Sequence, residues 1–259
     1  MERYSNSTRE VAQDGRRGAL MLTISIKHPD AERFIDAKVD TSKVTGANVS
    51  VKIDDEFMRA AIAGKPYHQQ FPIDAEKPMY EQDIDARALW KKIIHNAWKS
   101  AEPGVLFWDT ILRESVPDCY ADEGFNTVST NPCGEIPLCP YDSCRLLALN
   151  LYSYVDKPFT AEASFDFAKF RDHVGKAMRM MDDIIDLELE KVEQIIAKID
   201  ADPEEADIRY VESNLWKKVR EMALKGRRTG LGITAEGDMI AALGMRYGSD
   251  EAVAFAVEV

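Results

Sequence analysis

The alternation of short β-type runs with helical segments most constrains what this chain can fold into. The β-type runs are residues 19–26 (ALMLTISI), 48–53 (NVSVKI) and 230–235 (GLGITA), and residues 146–155 (LLALNLYSYV) fit either a strand or a short helix. Between these runs, apolar residues recur three and four positions apart, as on one face of a helix. Strands that alternate with helices predict an α/β fold with parallel strands.

Residues that favour helix N-termini place several helices. Asp54 and Asp55 precede one helix, Asp85 opens another, and Ser164 is predicted to cap the longest. That longest helix carries a one-sided apolar stripe from Phe170 to Ile196, which we interpret as core packing rather than as cofactor contacts. Further helices are predicted over residues 215–222, 239–243 and from 249 onward.

Three segments lack a clear period. Residues 38–46 are polar and predict an exposed loop, and residues 64–83 contain three prolines and predict an irregular connection. Residues 115–141 are rich in Pro, Gly, Asn, Asp and Cys and predict a long loop without helix or strand. Long loops inside compact domains are usually functional or disordered, and this one holds the unusual chemistry of the chain.

Charge and hydropathy exclude several classes of function. The chain has 45 acidic and 33 basic residues, a formal net charge of −12, which argues against non-specific nucleic-acid binding. No apolar run approaches the roughly 20 residues of a membrane helix, and the N-terminus lacks the apolar core of a secretory signal. We therefore expect a cytoplasmic protein whose four cysteines stay reduced or perform redox chemistry.

The segment 129–144 (STNPCGEIPLCPYDSC) places Asn131, Cys133 and Glu135 at alternate positions. In extended backbone, alternate residues point to the same side, so an amide, a thiol and a carboxylate would converge. Such a set is typical of a nucleophilic or redox site. An inert cysteine in a simple turn remains an alternative reading of the same spacing.

A zinc site is the other alternative for the cysteines. No C-x-x-C pair occurs among Cys119, Cys133, Cys139 and Cys144, and the four histidines are far away in sequence. Structural zinc sites normally use such close pairs, so no metal site is predicted. Cys139, between Leu and Pro, is interpreted as a small packed side chain.

The segment Asn131–Ile136 (NPCGEI) resembles the finger loop of the ribonucleotide reductase catalytic subunit. Its sequence is closer to that of the adenosylcobalamin-dependent class, as found in bacteriophages, than to that of the iron-dependent class. Further motifs resemble the same family in the same order along the chain: residues 16–19 (RRGA), 28–30 (HPD), 43–50 (KVTGANVS), 55–58 (DEFM), 142–145 (DSCR), 149–151 (LNL), 227–232 (RRTGLG) and 247–252 (YGSDEA).

The resemblance implies part of a ten-stranded α/β barrel, made of two five-stranded half-barrels around a central finger loop. Residues 1–114 would be the end of the first half-barrel with an effector-coupling loop. Residues 115–145 would hold the finger loop and a redox cysteine, and residues 146–259 would start a mostly helical second half-barrel. The fragment would be incomplete at both ends.

The resemblance also implies roles for individual residues. Cys133 would form the thiyl radical that removes the 3′ hydrogen of the ribose, and Glu135 would be the general base for the 3′-hydroxyl. Asn131 would hold the substrate, and Cys144 would be one of two cysteines that supply electrons and close to a disulfide.

Two further groups of residues are implied. Ser129 and Thr130 would join Asn131 and Glu135 in binding substrate. Lys43, Thr45 and Gly46, in the loop over residues 38–48, would pass the signal of a bound effector to the substrate site.

The implied cofactor is adenosylcobalamin, with a dithiol reductant such as thioredoxin or glutaredoxin. The implied partners are a ribonucleotide substrate, a deoxynucleotide or ATP effector, and the missing reductase segments, with neither membrane nor nucleic acid. Diphosphate and triphosphate substrates both remain open. One hypothesis is a split or truncated catalytic chain, inactive when isolated, and the alternative is a non-catalytic remnant or assembly partner.

Overall fold

The computed structural model describes residues 1–13 and 15–259 of the chain. It divides into two compact units, Met1–Pro140 and Tyr141–Val259. Each unit has its own helices, strands and packed side chains and is described separately below.

The first unit contains a parallel sheet flanked by helices. Its helices are α1 (Glu2–Glu10), α2 (Ala31–Ile35), α3 (Asp55–Ala63), α4 (Ala86–Ser100), α5 (Trp108–Glu114) and a 3₁₀ helix (Pro117–Glu123). Its strands are β1 (Ala12–Gln13), β2 (Arg16–Arg17), β3 (Met21–Ser25), β4 (Asn48–Ile53), β5 (Pro66–Phe71), β6 (Tyr80–Asp85), β7 (Gly104–Phe107), β8 (Ser129–Thr130) and β9 (Pro137–Leu138).

Strand β4 is the central strand of this sheet, which has the order β3-β4-β7. Both neighbours run parallel to β4, as the alternation of strands and helices predicts. Because side chains alternate along a strand, Val49, Val51 and Ile53 share one face, and all are at most 2% exposed. They pack with residues of α2, α3 and α4 in the main core of the unit.

Two predicted helix caps of the first unit are confirmed. The Asp54 carboxylate accepts the Phe57 backbone N–H at 2.7 Å, and the Asp85 carboxylate accepts the Ala88 N–H at 3.0 Å. Each bond satisfies one of the backbone donors that an α-helix leaves unpaired at its start.

The prediction of an irregular connection over residues 64–83 is wrong. Strands β5 and β6 pair antiparallel there, from Pro66 opposite Asp85 to Phe71 opposite Tyr80. The prolines do not prevent the pairing, because Pro66 stands at the start of a strand and the others lie in the connection between strands.

The predictions for residues 38–46 and 115–141 also need correction. Val44 is only 6% exposed, so the first loop is partly buried rather than fully exposed. The second segment contains a 3₁₀ helix and the antiparallel strands β8 and β9. These elements are too short to produce a helical or strand period in the sequence.

The second unit combines a parallel strand pair with long helices. Its strands are β10 (Arg145–Asn150), β11 (Val155–Asp156), β12 (Ser164–Phe165) and β13 (Thr229–Thr234). Its helices are a 3₁₀ helix (Leu151–Tyr154), α6 (Phe167–Asp200), α7 (Ala206–Gly226), α8 (Glu236–Ala242) and α9 (Asp250–Glu258). The run 146–155 is therefore strand first and short helix second.

Strands β10 and β13 are parallel, with Arg145 opposite Thr229. The sequence predicts a buried strand over residues 230–235, but the last three residues of β13 are exposed. The longest helix begins later than predicted, since its N-cap is Asp166 and Ser164 lies in β12. The predicted stripe is confirmed as packing at its centre, where Met181 and Ile185 are fully buried.

Among the described helices, none combines the length and the apolar character needed to cross a membrane.

Candidate active site

A short hairpin, here called the finger hairpin (residues 128–138), carries Asn131, Cys133 and Glu135 in the first unit. Its strands β8 and β9 pair antiparallel, with Ser129 opposite Leu138. The Val128 N–H also donates to the Leu138 carbonyl at 2.9 Å. The segment that the sequence marks as unusual is therefore a defined hairpin.

The tip of the hairpin is a turn rather than extended backbone, which corrects the predicted geometry. The Gly134 N–H donates to the Asn131 carbonyl at 3.0 Å, closing a four-residue turn with Pro132 at its second position. Gly134 has φ +89°, a conformation that favours glycine. Alternation along a strand therefore does not determine the directions of the three side chains.

The Asn131 side chain nevertheless ties the two sides of the turn together. Its Nδ2 donates to Glu135 Oε1 at 2.6 Å, and its Oδ1 accepts the Ile136 backbone N–H at 3.0 Å. The backbone N–H of Asn131 donates in turn to the Ile136 carbonyl at 3.1 Å. The amide and the carboxylate thus meet, as predicted, with Cys133 on the turn between them.

Cys133 and Glu135 are both exposed, whereas Asn131 is half-buried. Because both side chains are exposed, the thiol and the carboxylate can each contact a molecule from solution. The carboxylate accepts a proton in its ionised form, and the amide both donates and accepts hydrogen bonds. The amide and the carboxylate can therefore bind a hydroxyl group and accept its proton, on the turn that carries Cys133.

The finger hairpin is hydrogen-bonded to side chains of β3 and β4 within the same unit. Asn48 Nδ2 donates to the Pro132 carbonyl at 2.6 Å, and Lys52 Nζ donates to the Val128 carbonyl at 2.5 Å. Thr23 Oγ1 lies 3.4 Å from Ser129 Oγ on β8. Burial lowers the pKa of Lys52, whose ammonium also stands 3.9 Å from the centre of the Trp108 ring.

Sequence reasoning gave these supporting residues no role at the hairpin. The signal was present, since the run NVSVKI places Asn48, Ser50 and Lys52 on one face of the strand. A polar face on the central strand of a sheet indicates that something polar covers it.

The predicted substrate residues of β8 differ in exposure. Ser129 is half-buried, whereas Thr130 is 5% exposed and its hydroxyl donates to the Asn131 carbonyl at 3.0 Å. The role in substrate binding stays a prediction for both.

The predicted effector-coupling residues lie beside α1. Arg9 Nη1 donates to Thr45 Oγ1 at 2.6 Å, and the Gly46 N–H donates to Ser5 Oγ at 2.8 Å. Lys43 is exposed and lies 3.8 Å from an Asp40 carboxylate oxygen. These contacts anchor the second half of the loop, and its role in effector coupling stays a prediction.

Cys144 lies in the second unit, immediately before β10, and is half-buried. Ion pairs hold the backbone on both sides of it. Arg228 Nη1 lies 2.6 Å from Asp142 Oδ2, and Arg145 donates to both carboxylate oxygens of Glu188. A Cβ atom added to Gly230 would lie 3.4 Å from Cys144 Sγ, so the neighbouring strand passes close to the thiol.

The other two cysteines differ in environment. Cys139 is 4% exposed, as expected for a packed small side chain, whereas Cys119 is exposed and its Sγ donates to the Val116 carbonyl. Among the described residues, no group of three His, Cys, Asp or Glu side chains is arranged to hold a metal ion.

All of residues 1–259 match the family described as "Ribonucleotide reductase, barrel domain". The chain belongs to this family. The finger hairpin and Cys144 both lie within the residues that match the ribonucleotide reductase barrel domain.

Several relatives of this chain are named as vitamin B12-dependent enzymes. The chain is 35% identical to the vitamin B12-dependent ribonucleoside-diphosphate reductase of Thermoplasma acidophilum over 98% of this chain, but over only 29% of that protein. A protein of Mycobacterium phage D29, provisionally named adenosylcobalamin-dependent ribonucleoside-triphosphate reductase, is 32% identical over 56% of the chain and 18% of its own length. This chain therefore spans less than a third of the length of these relatives.

A solved structure shows the same fold. The class Id ribonucleotide reductase alpha subunit of Actinobacillus ureae aligns with a TM-score of 0.59 at 18% identity, over 93% of this chain and 38% of that one. At this identity the likeness concerns the fold alone.

Proposed function

We propose that this chain is the part of a ribonucleotide reductase catalytic subunit that carries the radical cysteine, Cys133, and one redox cysteine, Cys144. The observation that carries the proposal is the hydrogen bond between Asn131 Nδ2 and Glu135 Oε1 across the turn that bears Cys133. It joins the amide proposed to bind substrate to a proton acceptor, on a turn whose cysteine is exposed. Family membership over residues 1–259 supports the same reaction.

The proposed reaction begins after the Cys133 thiol has lost its hydrogen atom. The sulfur radical takes the 3′ hydrogen of the ribose, and Glu135 accepts the proton of the 3′-hydroxyl as general base. Asn131 holds the hydroxyl by hydrogen bonding. After the 2′-hydroxyl has left as water, Cys133 returns its hydrogen to the sugar.

The net reduction needs two electrons and two protons from two thiols, which become a disulfide. Cys144 is proposed as one of these thiols. Its half-buried position between two ion pairs supports a defined location for the sulfur. A dithiol protein of the thioredoxin or glutaredoxin type would then reduce the disulfide by thiol exchange.

Adenosylcobalamin is the proposed cofactor, because the named relatives are B12-dependent. When bound, it would supply the radical that removes the hydrogen atom from the Cys133 thiol. The exposure of Cys133 at a hairpin tip fits an approach by such a group. No described segment of this chain is assigned to hold it, so its binding site is proposed to lie in other parts of the enzyme.

The remaining expectations belong to the same proposal. The three parallel strands β3-β4-β7 and the parallel pair β10-β13 are proposed to belong to the two half-barrels of a ten-stranded barrel. Ser129 and Thr130 are proposed to contact substrate, and the loop with Lys43, Thr45 and Gly46 is proposed to respond to a nucleotide effector. The enzyme is proposed to work in the cytoplasm.

The decisive experiment replaces the matching segment of the Thermoplasma acidophilum reductase with this chain. The chimera should form deoxyribonucleotides from ribonucleoside diphosphates or triphosphates when adenosylcobalamin and a dithiol are present. The isolated 259-residue chain, which spans 29% of that relative, should form none.

The control is the same chimera with Cys119→Ala, which changes an exposed cysteine without a proposed role. It should retain activity. A correctly folded chimera that forms no product would favour a non-catalytic remnant, and product from the isolated chain would contradict the need for other segments.

A further inference from the structure

The polar face of β4 lies beneath the finger hairpin. Asn48, Ser50 and Lys52 share this face, while the alternate residues of the strand fill the core. Ser50 is 5% exposed and directly opposite Gly104 on β7. A Cβ at Gly104 would lie 2.5 Å from Ser50 Oγ, so the middle of this face is closely packed.

The hairpin runs along this face and is held at two ends. Lys52 binds the Val128 carbonyl at the base of the hairpin, and Asn48 binds the Pro132 carbonyl at its tip. The tip also lies over β7, since a Cβ at Gly134 would be 3.6 Å from Leu106 Cδ2.

The Asn48 bond differs from the Lys52 bond in what it orients. The Pro132 carbonyl belongs to the peptide group that leads into Cys133. Because a peptide group is planar, a hydrogen bond to its oxygen also fixes the orientation of the Cys133 nitrogen and Cα. Asn48 therefore acts on the backbone from which the thiol projects.

We propose that Asn48 is a positioning residue that determines where the Cys133 thiol lies. The catalytic part of this inference rests on the proposed function, whereas the positioning of the turn does not. Hydrogen-atom transfer from the ribose requires the sulfur within close reach of one carbon, and a misplacement of about 1 Å can reduce a rate about 10²-fold.

The hairpin has closing hydrogen bonds of its own, which allows positioning to be separated from folding. The bonds from Gly134 to Asn131 and between Asn131 and Ile136 lie within the hairpin itself. Loss of the Asn48 amide should leave these bonds in place but allow the turn to move away from β4.

The first test measures amide hydrogen exchange by NMR in the 259-residue chain and its Asn48→Ala and Asn48→Asp variants. Neither replacement donates to the Pro132 carbonyl. The Gly134 and Ile136 amides should exchange about three- to tenfold faster, as expected for the loss of one supporting hydrogen bond. Amides of the β3-β4-β7 ladder should keep their rates.

Asn126→Ala is the matched control, because Asn126 Nδ2 also donates to a backbone carbonyl, that of Ala121, at 3.1 Å in the same unit. It should not change exchange at the hairpin tip. Unchanged tip rates in both Asn48 variants would overturn the proposal. An equal acceleration throughout the sheet would also overturn it, because Asn48 would then be a general fold residue.

The second test places Asn48→Ala in the active chimera. We expect kcat to fall by about tenfold or more while KM for the ribonucleotide stays the same, since the variant displaces the sulfur without removing a substrate contact. A raised KM with unchanged kcat would overturn the positioning role. If the unsubstituted chimera is itself inactive, the proposed function fails, and the exchange measurement alone still decides whether Asn48 positions the turn.

Discussion

The two segments that carry the candidate cysteines are held by different interactions. The finger hairpin with Cys133 is exposed at its tip and bound to β4 through side-chain donors and backbone carbonyls. The segment before β10 with Cys144 is flanked by ion pairs, and the side chain of Asp142 is only 6% exposed. The segment with Cys133 is thus held by hydrogen bonds to backbone carbonyls at an exposed tip, and the segment with Cys144 by largely buried ion pairs.

This difference has energetic consequences. A typical intramolecular hydrogen bond contributes about 0.5–1.5 kcal/mol, so the hairpin tip can adjust at modest cost. Removal of one partner from a buried ion pair leaves an uncompensated charge and costs about 3–5 kcal/mol. We infer that Cys133 is the adjustable member of the two and Cys144 the firmly fixed one.

The largest expected effect is on catalysis and concerns Cys133 and Cys144. In the active chimera, Cys133→Ala should lower kcat at least about 10³-fold, since the reacting atom is removed. Cys144→Ala should abolish repeated turnover with a dithiol reductant. Product formation over many turnovers measures both, and full activity in either variant would contradict the role proposed for that cysteine.

The next effect tests the ion pairs beside Cys144. Arg228→Met removes the partner of buried Asp142 and should lower the free energy of unfolding of the second unit by about 3–5 kcal/mol. Lys157→Met, which breaks an exposed ion pair with Glu162, should cost less than about 1 kcal/mol. Hydrogen exchange in the β10-β13 ladder measures both losses of stability. Equal losses in the two variants would contradict the predicted difference between buried and exposed ion pairs.

A smaller effect is expected at the base of the finger hairpin. Lys52→Met should lower the free energy of unfolding of the first unit by about 0.5–1.5 kcal/mol at neutral pH. Burial offsets part of the stabilisation by Lys52, because it disfavours the ammonium and lowers the pKa of Lys52 below its usual 10.5. A loss as large as that for Arg228→Met would show that the two segments are held alike.

The same lysine predicts a pH dependence. Between the lowered pKa of Lys52 in the folded chain and 10.5, the unfolded state binds more protons than the folded state. The stability of the wild-type chain relative to Lys52→Met should therefore rise with pH across that window. Urea unfolding of both proteins from pH 7 to 10.5 measures this difference, and a fall with pH would contradict it.

The smallest effect lies on the β5-β6 hairpin, away from both cysteines. The hydrogen bond to Asp83, with Glu81 nearby, raises the pKa of exposed His68 above 6.5. Its stabilisation is fully present below pH 6.5 and is lost as the pH rises through the folded-state pKa. His68→Gln should thus lower the melting temperature at pH 5.5 more than at pH 8, and the opposite order would contradict the sign.

Several elements of the fold could be predicted because local chemistry determines them. The run NVSVKI alternates along the whole of β4, and the caps Asp54 and Asp85 begin helices where expected. The β5-β6 hairpin could not be predicted, because one of the two buried residues of β5 is the polar Gln69, which hides the apolar alternation, and because prolines flank the turn. The sequence places the N-cap of α6 at Ser164, two residues too early. In the structure, the carboxylate of Asp166 accepts the capping N–H.

The candidate site could be predicted only in part. The sequence indicated Asn131, Cys133 and Glu135 as a group, because an amide, a thiol and a carboxylate at short spacing are typical of nucleophilic and redox sites. It did not reveal the turn at Gly134, and it did not reveal that the side chain of Asn48 reaches the tip.

By itself, the sequence determined the α/β class, the chemical identity of the site residues and the family, since these depend on residue type, order and local period. Only the tertiary structure decided that Pro132 meets Asn48, 84 residues away, and that Asp142 meets Arg228, 86 residues away. The physical reason is that hydrogen bonds and ion pairs form between groups that packing brings together. Their partners are set by strand register and helix packing, which no local pattern records.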